Sequence, residues 1–332
     1  MKAVFMTQNP AGIPNAYSEA LRAEMGTTLE LDPHVYTMKE SEDELKALAD
    51  VEVIFSTWGM PSLNEEQISK YLPKLKAVFY GAGSVQYFAR PFLASGVQVF
   101  SAWAANGVPV AEVTVAEIIL ASKGFYQRFQ YEDGAWANHN VPVSFPGNYN
   151  TNVGIIGAGM IGKMVIRMLQ NYRLNVYVFD PFLSDEQAAE LHCTKVQTLP
   201  ELFETCLVVS NHLANNPQTV GMINADCFNR MAKNGVFINT GRGAQVVEEA
   251  MIAAMKAEPM RAAVLDVTFP EPPVAGSDMY KMRNIILTPH LAGSIGNEVQ
   301  RMGQYMYEEC RRWQAGERTY WGVTEKMLET MA

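Results

Sequence analysis

Short apolar runs alternate along this chain with stretches whose apolar positions recur at helical spacing. In the N-terminal third, residues 2–7, 51–56, 76–80 and 97–100 predict strands, each ending near Gly, Pro, Ser or Asn. Residues 40–49 and 64–72 predict solvent-facing helices between them. Such alternation implies a parallel sheet, because parallel neighbours need crossover connections. Residues 108–123 predict a helix that is apolar nearly all round, broken by Glu112 and Glu117. So small a polar face predicts burial, between domains or between subunits. Residues 132–150, rich in Gly, Pro, Asn and aromatics, predict an ordered loop.

A second series begins at Asn152, with strands predicted over 152–157, 174–179, 206–210, 235–239, 262–266 and 284–288. Their near-continuous apolar runs suit strands covered on both faces. Ile161, Met164, Val165, Met168 and Leu169 form the buried stripe of the first crossover helix. A long helix over 297–314 then returns the chain to the first domain. The expected fold is α/β, with two doubly wound parallel sheets: 1–103 plus 298–332 as one domain, 104–297 as the other.

Composition narrows the function classes. The 332 residues are 48% hydrophobic and carry a net charge of −9. That balance excludes a sequence-independent nucleic-acid binder, which needs a basic surface, and no Lys/Arg run suits an anionic membrane. Residues 1–7 are too short an apolar run for a signal peptide. No uninterrupted apolar stretch approaches the roughly 18 residues of a membrane span. Cys193, Cys206, Cys227 and Cys310 are scattered without a Cys-x-x-Cys pair, which fits reduced thiols better than a disulfide frame or a metal site. The expected compartment is the cytoplasm.

The central motif is Gly157-Ala-Gly159-Met160-Ile161-Gly162, between a predicted strand and an amphipathic helix. In such a loop the first Gly makes the turn, the second admits a pyrophosphate, and the third permits close helix–strand packing. Asp180 ends the next strand 18 residues beyond Gly162, near the spacing at which a carboxylate receives the adenosine ribose. Alone, Asp180 reads equally well as a turn residue before Pro181; with the loop it favours NAD over NADP.

Arg242, Asp266, Glu271 and His290 follow the ends of later predicted strands, the edge where open α/β sheets bind ligands. Singly, each has a bland explanation as a surface ion pair, a turn former or a satisfied loop residue. Together they supply a proton donor, a carboxylate to tune it and a cation for an acid substrate. On Gly157–Gly162 with Asp180, Ser210-Asn-His212-Leu, Asn239-Thr240-Gly-Arg242-Gly, Leu265-Asp266-Val-Thr-Phe-Pro-Glu271-Pro and Thr288-Pro-His290-Leu-Ala-Gly, the chain resembles the D-isomer-specific 2-hydroxyacid dehydrogenase family.

The resemblance implies an NAD-binding Rossmann domain inserted into a flavodoxin-like substrate domain. It implies hydride transfer between NAD(H) and a small 2-oxo or 2-hydroxy acid. Arg242, Glu271 and His290 would be catalytic, with His290 as proton donor and Glu271 on its other ring nitrogen. Gly157, Gly159, Met160, Ile161, Gly162, Asp180, His212, Thr240 and Asp266 would contact the cofactor. Backbone N–H groups of Ala82 and Gly83 would join Arg242 on the substrate carboxylate, in the cleft between domains. A homodimer is expected from the apolar 108–123 helix. Val85, Val113 and Glu132 depart from the family's usual Asp, His and Arg, placing the chain in a divergent branch. Ser56, Trp58, Tyr87 and Trp103 are pocket candidates by position. An NAD(H)-sensing regulator on the same scaffold is a competing reading, as is oxidation of a non-carbon acid such as phosphite; Glu271 stands where formate-oxidising relatives have Gln.

Overall fold

A computed structural model describes residues 1–128 and 145–329. Most of the loop expected over 132–150, with Glu132, Gly134 and Trp136, lies outside the described residues. The chain divides into two compact units, Met1–Gly107 with Ser294–Ala332, and Val108–Gly293. These boundaries fall four residues from those expected at 103/104 and 297/298.

In the first unit β1 (Lys2–Met6), β2 (Glu30–Tyr36), β3 (Val53–Ser56), β4 (Ala77–Tyr80) and β5 (Gln98–Ser101) lie in the order β2-β1-β3-β4-β5, all parallel. The flavodoxin-like fold has this order. A two-residue strand, Gly322–Val323, adds antiparallel to β5. Side chains alternate between faces with period two. Val4, Ile54, Val78 and Val99 enter one core; Phe5, Phe55, Phe79 and Phe100 enter the other. On the second face, rings of neighbouring strands stack, with Phe79–Phe100 centroids 4.7 Å apart. The Glu298–Gln314 helix closes that face with Val299, Met302, Met306 and Cys310.

β2 was not anticipated, since Glu30-Leu-Asp-Pro-His carries no apolar run. It is an edge strand, where Pro is tolerated, and its register slips between Ala3↔Leu31 and Phe5↔Val35 to accommodate Pro33. The helix expected over 40–49 is α-helical only at Glu42–Leu45, started by a Ser41–Glu44 capping box, and continues as a 3-10 turn, Lys46–Asp50.

The second unit holds β6 (Tyr149–Ile156), β7 (Arg173–Phe179), β8 (Thr194–Lys195), β9 (Val208–Asn211), β10 (Val236–Asn239), β11 (Ala262–Leu265) and β12 (Ile285–Leu287). Their order, β8-β7-β6-β9-β10-β11-β12, is parallel throughout. Winding reverses between β6 and β9, so a crevice opens at the strands' C-terminal edge there. The two-residue β8 is too short to leave a sequence signal.

The apolar helix runs over Trp103–Ser122, five residues earlier than expected. By length and mean hydropathy alone it is long enough to cross a membrane, but Glu112 and Glu117 interrupt it and 56% of its apolar window is buried inside the protein. Ala111, Val115, Ile118 and Ala121 pack in the second unit's core.

Candidate active site

Because all seven strands of the second unit are parallel, their C-terminal ends share one edge. β6 leads into Gly157, whose φ of +87° suits glycine alone among common residues. The helix Met160–Leu169 follows, and a Cβ on Gly162 would lie 1.9 Å from Gly157 O. A Cβ on Gly159 would instead meet nothing within 4 Å. Gly159 is the N-cap and no side chain caps the helix, so the first-turn N–H groups of Met160, Ile161 and Gly162 have no side-chain acceptor among the described residues. Asp180, at the end of β7, accepts from Ala158 N at 2.6 Å and Phe182 N at 2.7 Å, which ties it to the glycine turn. These features fit a dinucleotide: a bare helix terminus for its pyrophosphate and a carboxylate beside the turn for its ribose.

Arg242 follows β10 on a loop held by buried amides. Asn211 Nδ2 donates to Asn239 Oδ1 (3.0 Å) and Gln245 Oε1 (2.6 Å). Asn239 Nδ2 donates to Arg242 O, and Arg242 N to Gln245 Oε1. Gln245 Nε2 reaches the Leu213 and Ala214 carbonyls. Every polar end of this network has a partner, so it rigidifies the loop. The network was missed from sequence; its trace is an Asn ending each of two otherwise apolar strands. The Arg242 guanidinium donates through Nη1 to Gly241 O at 2.7 Å. Burial lowers its pKa, with the Glu271 charge opposing.

Glu271 is brought beside this loop because Gly243 lacks a side chain: a Cβ there would lie 2.0 Å from the Thr268 carbonyl carbon. Glu271 Oε1 lies 2.7 Å from His290 Nδ1. The carboxylate can only accept, so Nδ1 is the donor, and the half-exposed ring leaves Nε2 without a protein partner among the described residues. His290 has φ +54°, a left-handed conformation that costs about 1 kcal/mol for a residue with a Cβ. Asp266 holds it there. Its carbonyl accepts from His290 N (3.1 Å), and its carboxylate from Leu291 N (2.8 Å), Ala292 N (2.9 Å) and Thr288 Oγ1 (2.6 Å). The residue expected on the cofactor thus has both oxygens engaged with the His290 loop.

His212, after β9, differs from His290. It is half-buried, desolvation pushes its pKa down to about 4, and Nε2 lies 3.0 Å from Ser210 Oγ. It is neutral at physiological pH. Thr240 Oγ1 pairs with Thr114 Oγ1 at 3.0 Å. One turn further along the same helix, Glu117 has a solvent-shielded Oε2 without a partner among the described residues. Burial, then the Asp266 charge, pushes its pKa up to about 8.

In the first unit, Gly81-Ala-Gly83 follows β4. Gly81 N bonds Ser56 O, whereas the N–H groups of Ala82 and Gly83 have no protein acceptor among the described residues. Ser101 Oγ fixes the loop through the Ala82 and Gly83 carbonyls. A buried N–H without an acceptor is rare, and Ala82 is fully buried. Val85, where relatives of the expected family carry Asp, packs in the apolar core.

Residues 116–292 match the family model for the D-isomer specific 2-hydroxyacid dehydrogenase NAD binding domain. A formate dehydrogenase of Chaetomium thermophilum is 30% identical over 261 residues, 75% of this chain and 70% of that protein. A putative 2-hydroxyacid dehydrogenase of Bacillus subtilis, YoaD, is 27% identical over 230 residues, 68% of this chain and 65% of its own length. Across the first curated relatives the match takes in 40% to 65% of their length. The fold extends over the whole chain: D-mandelate dehydrogenase of Rhodotorula graminis superposes with a TM-score of 0.79, covering 98% of both chains at 19% identity. The chain belongs to the D-isomer specific 2-hydroxyacid dehydrogenase family, and its second unit is that family's NAD binding domain.

Proposed function

We propose that the protein is an NAD-dependent dehydrogenase that interconverts a small 2-oxo acid and its D-2-hydroxy acid. The observation that carries this reading is the 2.7 Å Glu271–His290 pair, with a free Nε2, on the edge that also bears Arg242 and the glycine turn. Bound NADH supplies the hydride. Gly157, Gly159, Met160, Ile161 and Gly162 receive the pyrophosphate, Asp180 the ribose, and His212, Thr240 and Asp266 line the remainder of the cofactor site. The Asp180 carboxylate would repel a 2′-phosphate, and neither Pro181 nor Phe182 replaces it with a cation, which favours NAD over NADP.

Arg242 receives the substrate carboxylate and polarises the 2-oxo group; its burial strengthens such a charge-assisted bond. In the first unit, Ala82 and Gly83 offer a carboxylate two backbone donors. In reduction, His290 Nε2 delivers a proton to the carbonyl oxygen as C2 gains the hydride. Glu271 accepts from Nδ1 at 2.7 Å and holds the ring's orientation. Oxidation runs the same proton in reverse. The cysteines, free among the described residues, suit a reducing cytoplasm, and the Trp103–Ser122 helix has the apolar surface for a homodimer.

Steady-state oxidation of NADH and NADPH against a panel of 2-oxo acids tests the proposal. Turnover of at least one acid with NADH, and at least tenfold slower with NADPH, is expected. Tight NADH binding without turnover of any acid would replace it with the sensing role.

A further inference from the structure

We propose that the first unit selects 2-oxo acids with a bulky apolar or aromatic side chain and rejects phosphorylated ones, through Trp58 and Tyr87 beside the Ala82–Gly83 N–H pair. This rests on the dehydrogenase reading above, and narrows it to a substrate class. Thr57 Oγ1 donates to Gly81 O at 3.1 Å, which ties the end of β3 to the end of β4. Trp58, the next residue, therefore lies one strand from the N–H pair, about 5 Å along the sheet edge. It is 44% exposed, and Tyr87 is 50% exposed.

Tyr87 is fixed in place rather than loose. Its hydroxyl sits against the Gly59 and Met60 backbone and 3.4 Å from Tyr80 Oη. Its carbonyl accepts from Ser62 Oγ at 3.0 Å, and its ring meets Phe88 edge-on at 5.1 Å. A rigid aromatic surface loses little entropy when a ligand covers it. Scattered exposed aromatics need no explanation; a fixed Tyr87 and an exposed Trp58 on loops at the edge that bears two unpartnered backbone N–H groups do.

Charge excludes the alternative side chains. The segments that follow β1, β3, β4 and β5, residues 7–9, 57–60, 81–85 and 102–103, contain no Lys, Arg, His, Asp or Glu. A phosphate carries nearly two negative charges and needs cationic donors when desolvated. Lys39, beyond β2, stands three strands from β4, roughly 14 Å away. The surface favours a side chain that is neutral and large.

The test is kcat/KM with NADH for phenylpyruvate, 4-methyl-2-oxopentanoate, pyruvate, glyoxylate and 3-phosphohydroxypyruvate. Phenylpyruvate or 4-methyl-2-oxopentanoate should exceed pyruvate by about tenfold or more, with the phosphorylated acid poorest. Trp58→Ala and Tyr87→Ala should each cut the phenylpyruvate-to-pyruvate ratio about tenfold, with NADH affinity by fluorescence as the folding control. A preference for glyoxylate or the phosphorylated acid, or a ratio untouched in both variants, would overturn it. Equilibrium binding to the NAD⁺-saturated chain, where no hydride is available, separates the two proposals. Tighter phenylpyruvate than pyruvate binding there, with no NADH oxidation by any acid in the kinetic assay, retains this selectivity and sinks the dehydrogenase reading; equal binding sinks the selectivity.

Discussion

At the scale of single residues, chemistry lies in the contrast between two histidines on one sheet edge. His212 is half-buried and neutral, desolvation having pushed its pKa down to about 4. His290 is half exposed, carries a carboxylate on Nδ1 and presents Nε2 freely. The sequence named both but could not rank their environments, because burial of a loop histidine depends on what the rest of the chain lays over it. The family resemblance implied the Glu271–His290 pair, which the fold brings to 2.7 Å. The clamp by which Asp266 holds Thr288, Leu291 and Ala292 was hidden, as backbone donors leave no mark on residue types. His290→Asn is the sharpest variant, because Asn tolerates the left-handed backbone that Asp266 stabilises. Turnover of the best 2-oxo acid should fall by about 10²–10⁴-fold, with the NADH Kd unchanged by fluorescence titration. A kcat within tenfold of the parent would remove His290 from the mechanism. Glu271→Gln should lose about 10–100-fold in kcat, less than His290→Asn, because the ring stays while its anionic partner goes.

At the scale of elements, long apolar runs were legible and short or polar strands were not. Six of the second unit's strands lie where the pattern put them; β8 and Gly322–Val323 are two residues each, and β2 carries its charges as an exposed edge strand does. The glycine turn shows what sequence leaves out. Its glycines look alike in the motif, yet a Cβ at Gly162 would strike Gly157 O while one at Gly159 would meet open space. The two therefore separate fold from ligand. Gly159→Ala should leave the melting temperature within about 1–2 °C, since surface changes without a clash cost little. It should nevertheless raise the NADH Kd about tenfold or more, as the methyl enters the space for the pyrophosphate. Gly162→Ala should lower the melting temperature by several degrees or abolish soluble expression, because backbone must move. Equal thermal losses in the two variants, by circular dichroism, would show that Gly159 serves the fold and not the dinucleotide.

At the scale of the whole molecule, two parallel α/β sheets were open to sequence reasoning because crossover connections follow from alternation, whereas the order of their strands was not. Nor was the electrostatic cost of the interior, since it depends on which acids the fold encloses. Glu117 looked like an interruption in an apolar helix. Burial of its Oε2 first, and the Asp266 charge second, favour a neutral Glu117. With a folded pKa near 8 against 4.5 for the free side chain, the folded chain keeps a proton that the unfolded chain releases between those values. Stability from this group is whole below about pH 4.5 and is lost as pH rises toward 8. His212 works in the opposite sense. Its pKa falls from 6.5 to about 4, so the unfolded chain gains the proton first and stability is lost as pH falls below about 6.5. Above pH 6.5 Glu117 acts alone of the two, which gives the prediction its window. Between pH 6.5 and 8 Glu117→Gln should gain on the parent by on the order of 1–2 kcal/mol, a few degrees in melting temperature. The two melting curves should converge toward pH 5, where the parent's carboxyl is protonated when folded. Parallel curves across this range would mean that Glu117 does not hold its proton in the folded chain.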